Sequence, residues 1–242
     1  MQRILEPELM EGEEQGLIYA QADFSGPNRL FLSLFAEKFP QFSGKGEILD
    51  LGCGPADILI RFARTYPDCT CVGLDGSEAM LAPGRRAVEQ EQLAHCIALH
   101  CRHLPCLTLP HSLPYPLPSA QEKQQEEQGE EQEGFQVVLS NSLLHHLHNP
   151  EVLWQTVREH IAPGGSILIM DLFRPESTEA ARCLVTRHAT DEPEILQEDF
   201  YNSLLAAFRP DEIQAQLKQA GLEFCCEKVS DRHIAVWGTR TW

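Results

Sequence analysis

Two carboxylates and a pair of glycines stand at spacings that suit the binding of a nucleoside. The apolar run at residues 48–51 contains Asp50 and breaks into Gly52 and Gly54, as a buried parallel strand does where it turns into a helix. A second apolar run ends in Asp75. Glycines let the backbone approach a ligand closely, and a carboxylate at the tip of the neighbouring strand accepts hydrogen bonds from ribose hydroxyls. The pattern therefore predicts a nucleoside-cofactor site in a Rossmann-like sheet.

The third position of the glycine motif distinguishes two classes of nucleoside cofactor. Dinucleotide-binding enzymes place a third glycine there, which allows the helix to pack closely on its strand. This chain has Asp57 instead. A carboxylate in the first helical turn suits the helix dipole but repels a pyrophosphate. A nicotinamide-dependent oxidoreductase is therefore disfavoured and stays only as an alternative.

Further motifs follow in a fixed order along the chain. They are the Asp50-x-Gly52-x-Gly54 loop, residues 73–77 with Met80-Leu81, residues 138–146, and residues 162–165 followed by 167–171. Their order and spacing resemble class I S-adenosylmethionine (SAM)-dependent methyltransferases, in particular the small-molecule enzymes with a type 11/25-like methyltransferase domain. The resemblance covers about Tyr19 to Trp237. It implies an α/β fold with a Rossmann-like, seven-stranded, mostly parallel sheet, helices on both faces, and SAM as the cofactor.

The same resemblance implies cofactor contacts around the glycine loop. Asp75 binds the ribose hydroxyls and Asp50 supports the cofactor's amino group, with a helix-facing carboxylate as the alternative for Asp50. Arg29 is a candidate partner for the cofactor carboxylate, or else a solvated helix arginine. His100 stands where relatives carry an acidic residue, so the adenine contact falls to the backbone of Cys101 and Arg102. The complete set is Tyr19, Arg29, Asp50, Gly52, Cys53, Gly54, Asp75, Gly76, Met80, Cys101 and Asn141.

A histidine pair, His145 and His146, follows the fourth predicted strand. Histidine titrates near neutrality, so either side chain can serve as a general base towards a hydroxyl acceptor. The alternatives are a structural role for the pair and a reaction without any base, because methyl transfer from a sulfonium depends chiefly on alignment and desolvation. Methyltransferases that act on amino groups of nucleic acids and protein glutamine carry an Asn/Asp-Pro-Pro-aromatic motif here. This chain has Asn-Ser-Leu-Leu at residues 141–144, which disfavours that class.

The acceptor is predicted to lie between an N-terminal helical cap, residues 1–45, and a helical lid, residues 173–209. The second segment is too long for a simple connection, so it should fold as helices over the strand ends. Its mixture of polar and apolar side chains suits a medium-sized organic acceptor. The candidate acceptor residues are Asp171, Arg174, Tyr201, Asn202 and His233, with Arg232 beside them.

A stretch rich in cysteine and histidine raises the alternative of a zinc site. Alternate residues of a strand point to opposite faces, and the stretch contains no Cys-x2-Cys pair. The sequence therefore predicts no metal there or elsewhere. The residues concerned are His95, Cys96, His100, Cys101, His103, Cys106 and His111.

Composition narrows the range of partners. The formal net charge of −17 disfavours nucleic acids and anionic membrane surfaces. No run of apolar residues is long enough for a membrane span, and no signal-peptide pattern is visible. The nine cysteines scatter through predicted strands and helices, which favours free thiols in a reducing compartment and hence a cytoplasmic location. The predicted partner is a small-molecule acceptor, and no oligomeric state is predicted.

The whole chain, residues 1–242, is predicted to form a single methyltransferase domain. Strands are expected at 46–51, 70–75, 95–101, 135–141, 166–172, 222–229 and 232–238. Residues 110–134 include six glutamates and one lysine, and predict a disordered acidic loop insertion. Asn149 is expected to cap a helix that ends at the Pro-Gly-Gly of residues 163–165, with Leu153, Val157 and Ile161 on its buried face.

A different class of function is a protein that binds SAM without catalysis, either a sensor or a partner subunit docking through the acidic insertion. The intact glycines and Asp75 argue against such a loss of activity. The sequence therefore predicts a SAM-dependent methyltransferase that transfers a methyl group to a small molecule.

Overall fold

A seven-stranded sheet forms the centre of the molecule. The computed structural model describes residues 1–7, 12–104 and 134–242, so the predicted acidic insertion lies, except for Gly134, outside the described residues. The strands are β1 Lys45–Leu51, β2 Asp68–Asp75, β3 Ile97–Cys101, β4 Phe135–Asn141, β5 Ile161–Leu172, β6 Cys225–Lys228 and β7 His233–Thr239. Their order in the sheet is β3-β2-β1-β4-β5-β7-β6.

The strand directions are those of a doubly wound α/β sheet with an antiparallel end. Strands β1 to β5 pair in parallel, whereas β7 is antiparallel to both β5 and β6. The strand order reverses between β1 and β4. In sheets of this kind the crevice for ligands opens at that switch point, beyond the carboxyl ends of the strands. The predicted fold class, Rossmann-like and mostly parallel, is confirmed.

Helices flank the sheet, and their ends follow recognisable signals. The Ser77 hydroxyl accepts a hydrogen bond from the Met80 N–H at 3.3 Å and so caps the helix after β2. The last helix ends at Gly221, whose left-handed backbone (φ +66°) suits a glycine. The helices are α1 Glu13–Gln21, α2 Ser25–Lys38, α3 Asp57–Thr65, α4 Glu78–Gln90, α5 Glu151–His160, α6 Thr178–His188, α7 Glu194–Ala206 and α8 Pro210–Ala220.

Alternation along the strands divides the core between the two faces of the sheet. On β1, Ile48 joins the apolar cluster that includes residues of α2, α3 and α4. Its neighbour Leu49 joins the opposite cluster, which includes residues of α5 and α8. Successive side chains of a strand point to opposite faces, so a buried parallel strand is apolar on both. The sheet is therefore covered on both sides and presents its strand ends to ligands.

The end of α5 differs from the prediction. The sequence places Ile161 on the inner face of the helix, but α5 ends at His160 and Ile161 is the first residue of β5, paired with Phe135. The Pro-Gly-Gly segment lies inside β5, where the register shifts between Phe135 and Val137, instead of stopping the helix. Ile161 is nevertheless fully buried, because it faces the same apolar cluster from the strand.

Helices also occupy the two segments predicted as cap and lid. In the N-terminal segment, α1 approaches α4 so closely that a Cβ at Gly16 would lie 2.8 Å from the carbonyl oxygen of Ala79. Between β5 and α8, the helices α6 and α7 pack on each other around their own apolar cluster, which includes Leu184 and Leu204. None of the helices within the described ranges is long and apolar enough to cross a membrane.

Candidate active site

A cavity of about 1530 Å³ opens beyond the carboxyl ends of β1, β2 and β4. It extends from the glycine loop to the histidine pair after β4 and reaches α7 and the start of β7. Most of the site residues predicted from the sequence line this single space. They are Tyr19, Asp50, Gly52, Cys53, Gly54, Asp75, Gly76, Met80, Cys101, Asn141, His145, His146, Asn202 and His233, together with Arg232.

The glycine loop after β1 has a backbone that favours glycine. Gly52 and Gly54 both have positive φ, +73° and +50°. The Gly52 N–H donates to the Leu74 carbonyl at 2.8 Å, which ties the loop to the adjacent strand. A Cβ at Gly52 would lie 2.8 Å from the Leu143 side chain. The loop is therefore built for close approach, and any side chain at position 52 would be strained.

Asp75, at the tip of β2, is held in place by the loops on both sides. Its two carboxylate oxygens accept hydrogen bonds from the Gly54 N–H at 2.9 Å and from the Ser77 N–H at 2.8 Å. Burial raises the pKa of Asp75, and these two N–H donors oppose that rise. The carboxylate is thus fixed at the cavity wall, next to the loop that would carry a nucleoside.

Asp50 is the most unusual carboxylate of the site. It is 1% exposed, and its Oδ1 has no hydrogen-bond partner among the described residues. Burial, and secondarily the negative charge of Asp75, raise the pKa of Asp50 to about 8. A buried carboxylate oxygen without a partner is costly, and an ammonium group in the cavity would satisfy it. The site therefore fits a ligand that combines a ribose with an amino group, as SAM does.

Arg29 does not join the site. Its side chain is exposed on α2, whereas the preceding residue, Asn28, is 5% exposed and lines the cavity. The Asn28 amide donates a hydrogen bond to Asp57, which lies in the first turn of α3 and accepts a second one from Arg61 at 3.0 Å. Adjacent helix residues point about 100° apart, and on α2 Pro27 and Asn28 face the cavity whereas Arg29 faces solvent. The predicted contact of Arg29 with the cofactor carboxylate has no support in this geometry.

The segment after β3 offers less to an adenine than the sequence suggests. The Arg102 N–H is occupied, because it donates to the Asp75 carbonyl at 2.8 Å. The Cys101 thiol contacts the Gly76 carbonyl at 3.6 Å and lines the cavity. His100 does not line it, and burial lowers the pKa of its imidazole. The Arg102 N–H is therefore not free for an adenine, whereas contacts from the rest of the Cys101 and Arg102 backbone stay a prediction.

The histidine pair lies at the other end of the cavity, above a buried carboxylate. His145 is 3% exposed, and its Nδ1 lies 2.5 Å from Oδ1 of Asp171. On the far side of the ring, Nε2 lies 3.5 Å from Oε1 of Glu6. The ring of His146 packs against that of His145 with centroids 4.2 Å apart. Its Nδ1 lies 3.3 Å from the same Glu6 oxygen and 3.3 Å from the Pro7 carbonyl oxygen.

The two histidines differ in basicity, although the sequence predicts either of them as a general base. Burial alone would lower the pKa of His145, but the facing carboxylates of Asp171 and Glu6 outweigh it and raise that pKa. Burial and the neighbouring His145 lower the pKa of His146 to about 3. Burial would raise the pKa of Asp171, whereas its contacts with His145 lower it. His146 is therefore too weak a base at neutral pH to serve as the predicted general base.

Three of the predicted acceptor residues do not face the cavity. Asp171 is 2% exposed and lies behind His145. Arg174 is 4% exposed and donates to the Ala207 carbonyl at 3.0 Å and to Glu212 at 2.5 Å. Tyr201 packs within the apolar cluster of α6 and α7. Asp171 and Arg174 have partners inside the fold, and none of the three lines the cavity, so their direct contact with an acceptor is not supported.

Asn202, His233 and Arg232 do line the cavity. His233 is 5% exposed, and its Nδ1 lies 2.9 Å from the Ser230 hydroxyl. Burial, and secondarily the charge of Arg232, lower the pKa of His233 to about 4. This imidazole is therefore neutral at neutral pH and acts in the cavity wall as a polar, uncharged group.

Sequence reasoning missed the residues that reach the site from the extended N-terminal segment. Arg3 donates through Nη2 to the carbonyl oxygens of His145 at 2.8 Å and Leu147 at 3.0 Å, and its guanidinium lies 3.8 Å from the centre of the Phe208 ring. These contacts bring Glu6 against the histidine pair. No periodic pattern marks this segment, because its position is set by tertiary contacts alone.

Sequence relatives match only part of the chain. Over 57 residues it is 44% identical to trans-aconitate 2-methyltransferase from Yersinia pestis (strain Pestoides F), and equally to the enzyme from Yersinia pseudotuberculosis serotype I (strain IP32953). That stretch is 24% of the chain and 18% of each relative, so the chain matches less than a fifth of the length of these curated relatives.

Solved structures match nearly the whole fold. A SAM-dependent methyltransferase from Aquifex aeolicus superposes with a TM-score of 0.64 at 14% identity, covering 93% of this chain and 97% of the other. Human N-acetylserotonin methyltransferase in complex with SAM superposes with a TM-score of 0.60 at 18% identity, covering 95% and 56% of the two chains. At such identities the likeness is one of fold.

A family model for the methyltransferase domain matches residues 23–227, a range that contains the glycine loop, Asp75 and the histidine pair. Because this match covers most of the chain, the resemblance to class I SAM-dependent methyltransferases is confirmed, and the chain belongs to the methyltransferase domain family.

Proposed function

We propose that this protein transfers the methyl group of SAM to a small-molecule acceptor. The observation that carries the proposal is the buried oxygen of Asp50, which has no partner among the described residues. It lies in the same cavity as Asp75 and the glycine loop of Gly52 and Gly54. A ribose and an ammonium group are the two recognition elements that these carboxylates suit, and SAM contains both. The cofactor supplies a methyl group activated by a sulfonium.

The residues around the cofactor bind and orient it. Asp75 accepts hydrogen bonds from the ribose hydroxyls, and Asp50 pairs with the ammonium group. Gly52 allows the backbone to approach the ligand, since no Cβ intrudes. The remaining wall includes the other predicted cofactor residues that line the cavity, namely Tyr19, Cys53, Gly54, Gly76, Met80, Cys101 and Asn141.

The acceptor occupies the part of the cavity between the histidine pair, α7 and β7. His145 and Asn202 are the residues we assign to the acceptor side, and the lid helices α6 and α7 set its size. This end is also lined by Glu192, Glu198 and Asp199. Against the single positive charge of Arg232 in the same wall, these three carboxylates disfavour an organic anion such as trans-aconitate, the substrate for which the Yersinia relatives are named. We therefore expect a neutral or cationic acceptor.

We extend the proposal to partners and location. The net charge of −17 disfavours nucleic acid as the acceptor. The described cysteines, which include Cys53, Cys69 and Cys71, are all free thiols. Free buried thiols suit a reducing compartment, which supports a cytoplasmic location.

Calorimetry with SAM and S-adenosylhomocysteine tests cofactor binding, with a nicotinamide dinucleotide as the matched negative ligand. We expect both adenosyl ligands to bind and the dinucleotide not to bind, because Asp57 stands where the pyrophosphate would lie. Absence of adenosyl binding at sub-millimolar concentration would overturn the proposal. Incubation with methyl-labelled SAM and a metabolite extract then tests turnover. A labelled small product is expected, whereas tight binding without product across many extracts would favour a SAM sensor.

A further inference from the structure

We propose that Glu6, His145 and His146 form a binding site for a Zn²⁺ ion at the acceptor end of the cavity. The sequence offers no reason to connect these residues, because Glu6 lies 139 positions before His145. The structure brings their ligand atoms together on the cavity wall, within 4.8 Å of one another.

The separations of the ligand atoms suit a tetrahedral ion. Oε1 of Glu6 lies 3.5 Å from Nε2 of His145 and 3.3 Å from Nδ1 of His146. Zinc binds nitrogen and oxygen at about 2.0–2.2 Å, so two tetrahedral ligands lie about 3.4 Å apart. Two of the three pairs already have this spacing. The third pair, Nε2 of His145 and Nδ1 of His146, lies within 4.8 Å and would have to close to this spacing when the ion binds.

Asp171 places His145 as the carboxylate partner of a metal-bound imidazole does. Its Oδ1 accepts from Nδ1 of His145 at 2.5 Å, which directs the lone pair of Nε2 towards Glu6 and the cavity. Most metal-binding histidines donate their other ring N–H to a carboxylate or carbonyl in this way, which fixes both tautomer and ring orientation. The backbone N–H of His145 donates to the other Asp171 oxygen at 3.2 Å and reinforces the placement.

The carboxylate of Glu6 supplies an independent indication. Its Oε1 is buried and has no hydrogen-bond partner within the described residues, although two ring nitrogens lie within 3.5 Å of it. The other oxygen accepts from the Ser203 hydroxyl at 3.3 Å, which anchors the side chain. Buried polar atoms normally find a partner. A cation between the three side chains satisfies the unpaired oxygen and leaves the Ser203 contact intact.

The ligand set also indicates what the ion does. Two imidazoles and one carboxylate suit Zn²⁺, and three protein ligands leave a fourth position open, as in catalytic rather than structural zinc sites. The open position faces the cavity, where an oxygen or nitrogen of the acceptor can bind. In this arrangement His145 serves as a ligand and not as a general base. The role of the ion in binding the acceptor rests on the proposed methyl transfer, whereas binding of the ion itself does not.

Calorimetry with Zn²⁺ alone, and visible spectroscopy with Co²⁺ as a coloured substitute, test the site without SAM or acceptor. We expect one ion per chain, and at least tenfold weaker binding in Glu6→Gln and in His146→Gln. Glu6→Gln is the sharper variant, because Glu6 lies outside the core elements and the substitution keeps its shape. Circular dichroism confirms that each variant is folded.

His95→Gln is the matched control, because His95 is exposed and belongs to the rival Cys- and His-rich stretch. Its zinc affinity should equal that of the wild type. Failure of the wild type to bind zinc at sub-millimolar concentration would overturn the proposal. The proposal would also be overturned if Glu6→Gln and His146→Gln bound zinc as tightly as the wild type does. A loss of zinc affinity confined to His95→Gln would overturn it as well. SAM binding is measured on the same samples, so that failure of the zinc site can be distinguished from failure of the proposed function.

Discussion

Replacing Asp50 by asparagine should stabilise the protein without ligand and weaken its binding of SAM. Asparagine has the same shape as aspartate but carries no charge. Asp50 is 1% exposed, and its pKa is raised from 3.8 to about 8. The folded protein therefore holds this carboxyl group protonated at neutral pH, whereas the unfolded chain ionises it.

The size of the effect follows from this difference in pKa. Between the unfolded and folded pKa values, folding takes up one proton, so stability falls as the pH rises. The slope is about 1.4 kcal/mol per pH unit between pH 4 and pH 8. The variant lacks this dependence. Its free energy of unfolding relative to wild type should therefore rise by about 3 kcal/mol from pH 5 to pH 7.

Urea unfolding of both proteins at several pH values measures the effect. Other groups, such as Asp75, titrate in both proteins and largely cancel in the comparison. Asp68→Asn is the control, because Asp68 is an exposed carboxylate at the opposite end of β2. That control should leave the difference from wild type independent of pH between 5 and 8.

SAM binding gives the second measurement. The ammonium group should pair with ionised Asp50, so wild-type binding releases a proton and Asp50→Asn should bind about 10–100-fold more weakly. The reasoning is refuted if the variant is less stable than wild type by the same amount at every pH. That result would mean that Asp50 is ionised and paired in the folded protein.

Four further substitutions test the site more simply. Asp75→Ala should keep the fold and weaken SAM binding by about 1–3 kcal/mol in calorimetry, and unchanged affinity would place the ribose elsewhere. Gly52→Ala should lower the free energy of unfolding by about 1–3 kcal/mol, because the new Cβ meets a neighbouring side chain and the backbone is left-handed; an unchanged melting temperature would contradict this. Once the acceptor is known, Asn202→Ala should change turnover and retain the affinity for SAM. Tyr201→Phe should leave turnover unchanged. Equal effects of the two substitutions on turnover would mean that the acceptor binds elsewhere.

The sequence could predict which residues line the cavity around the glycine loop, because local patterns determine where those residues lie. The glycine loop and Asp75 follow apolar strands, and parallel strands bring their carboxyl ends to one edge. Local patterns were not sufficient for α2. The sequence predicts that Arg29 faces the cofactor, but the residue that faces the cavity is its neighbour Asn28.

The acceptor half depends on contacts between distant residues, which no local pattern records. Arg174 is buried and used structurally because Glu212 pairs with it from α8. Glu6 reaches the histidine pair because Arg3 binds backbone carbonyls after β4. Ile161 is buried as predicted but belongs to a strand, because burial alone does not distinguish a helix end from the strand that follows.

The two halves of the cavity also differ in how firmly they are held. The cofactor half is part of the central sheet, whose hydrogen bonds open only with the whole domain. The proposed acceptor half includes Glu6, on a segment outside any helix or strand that is held by side-chain contacts and a few backbone hydrogen bonds, among them those of Arg3 and Ile4. Such a segment opens locally at far lower cost. Warming would therefore release the acceptor wall while the sheet still binds cofactor. At such temperatures a cofactor titration would count folded sheets and would overstate the number of competent active sites.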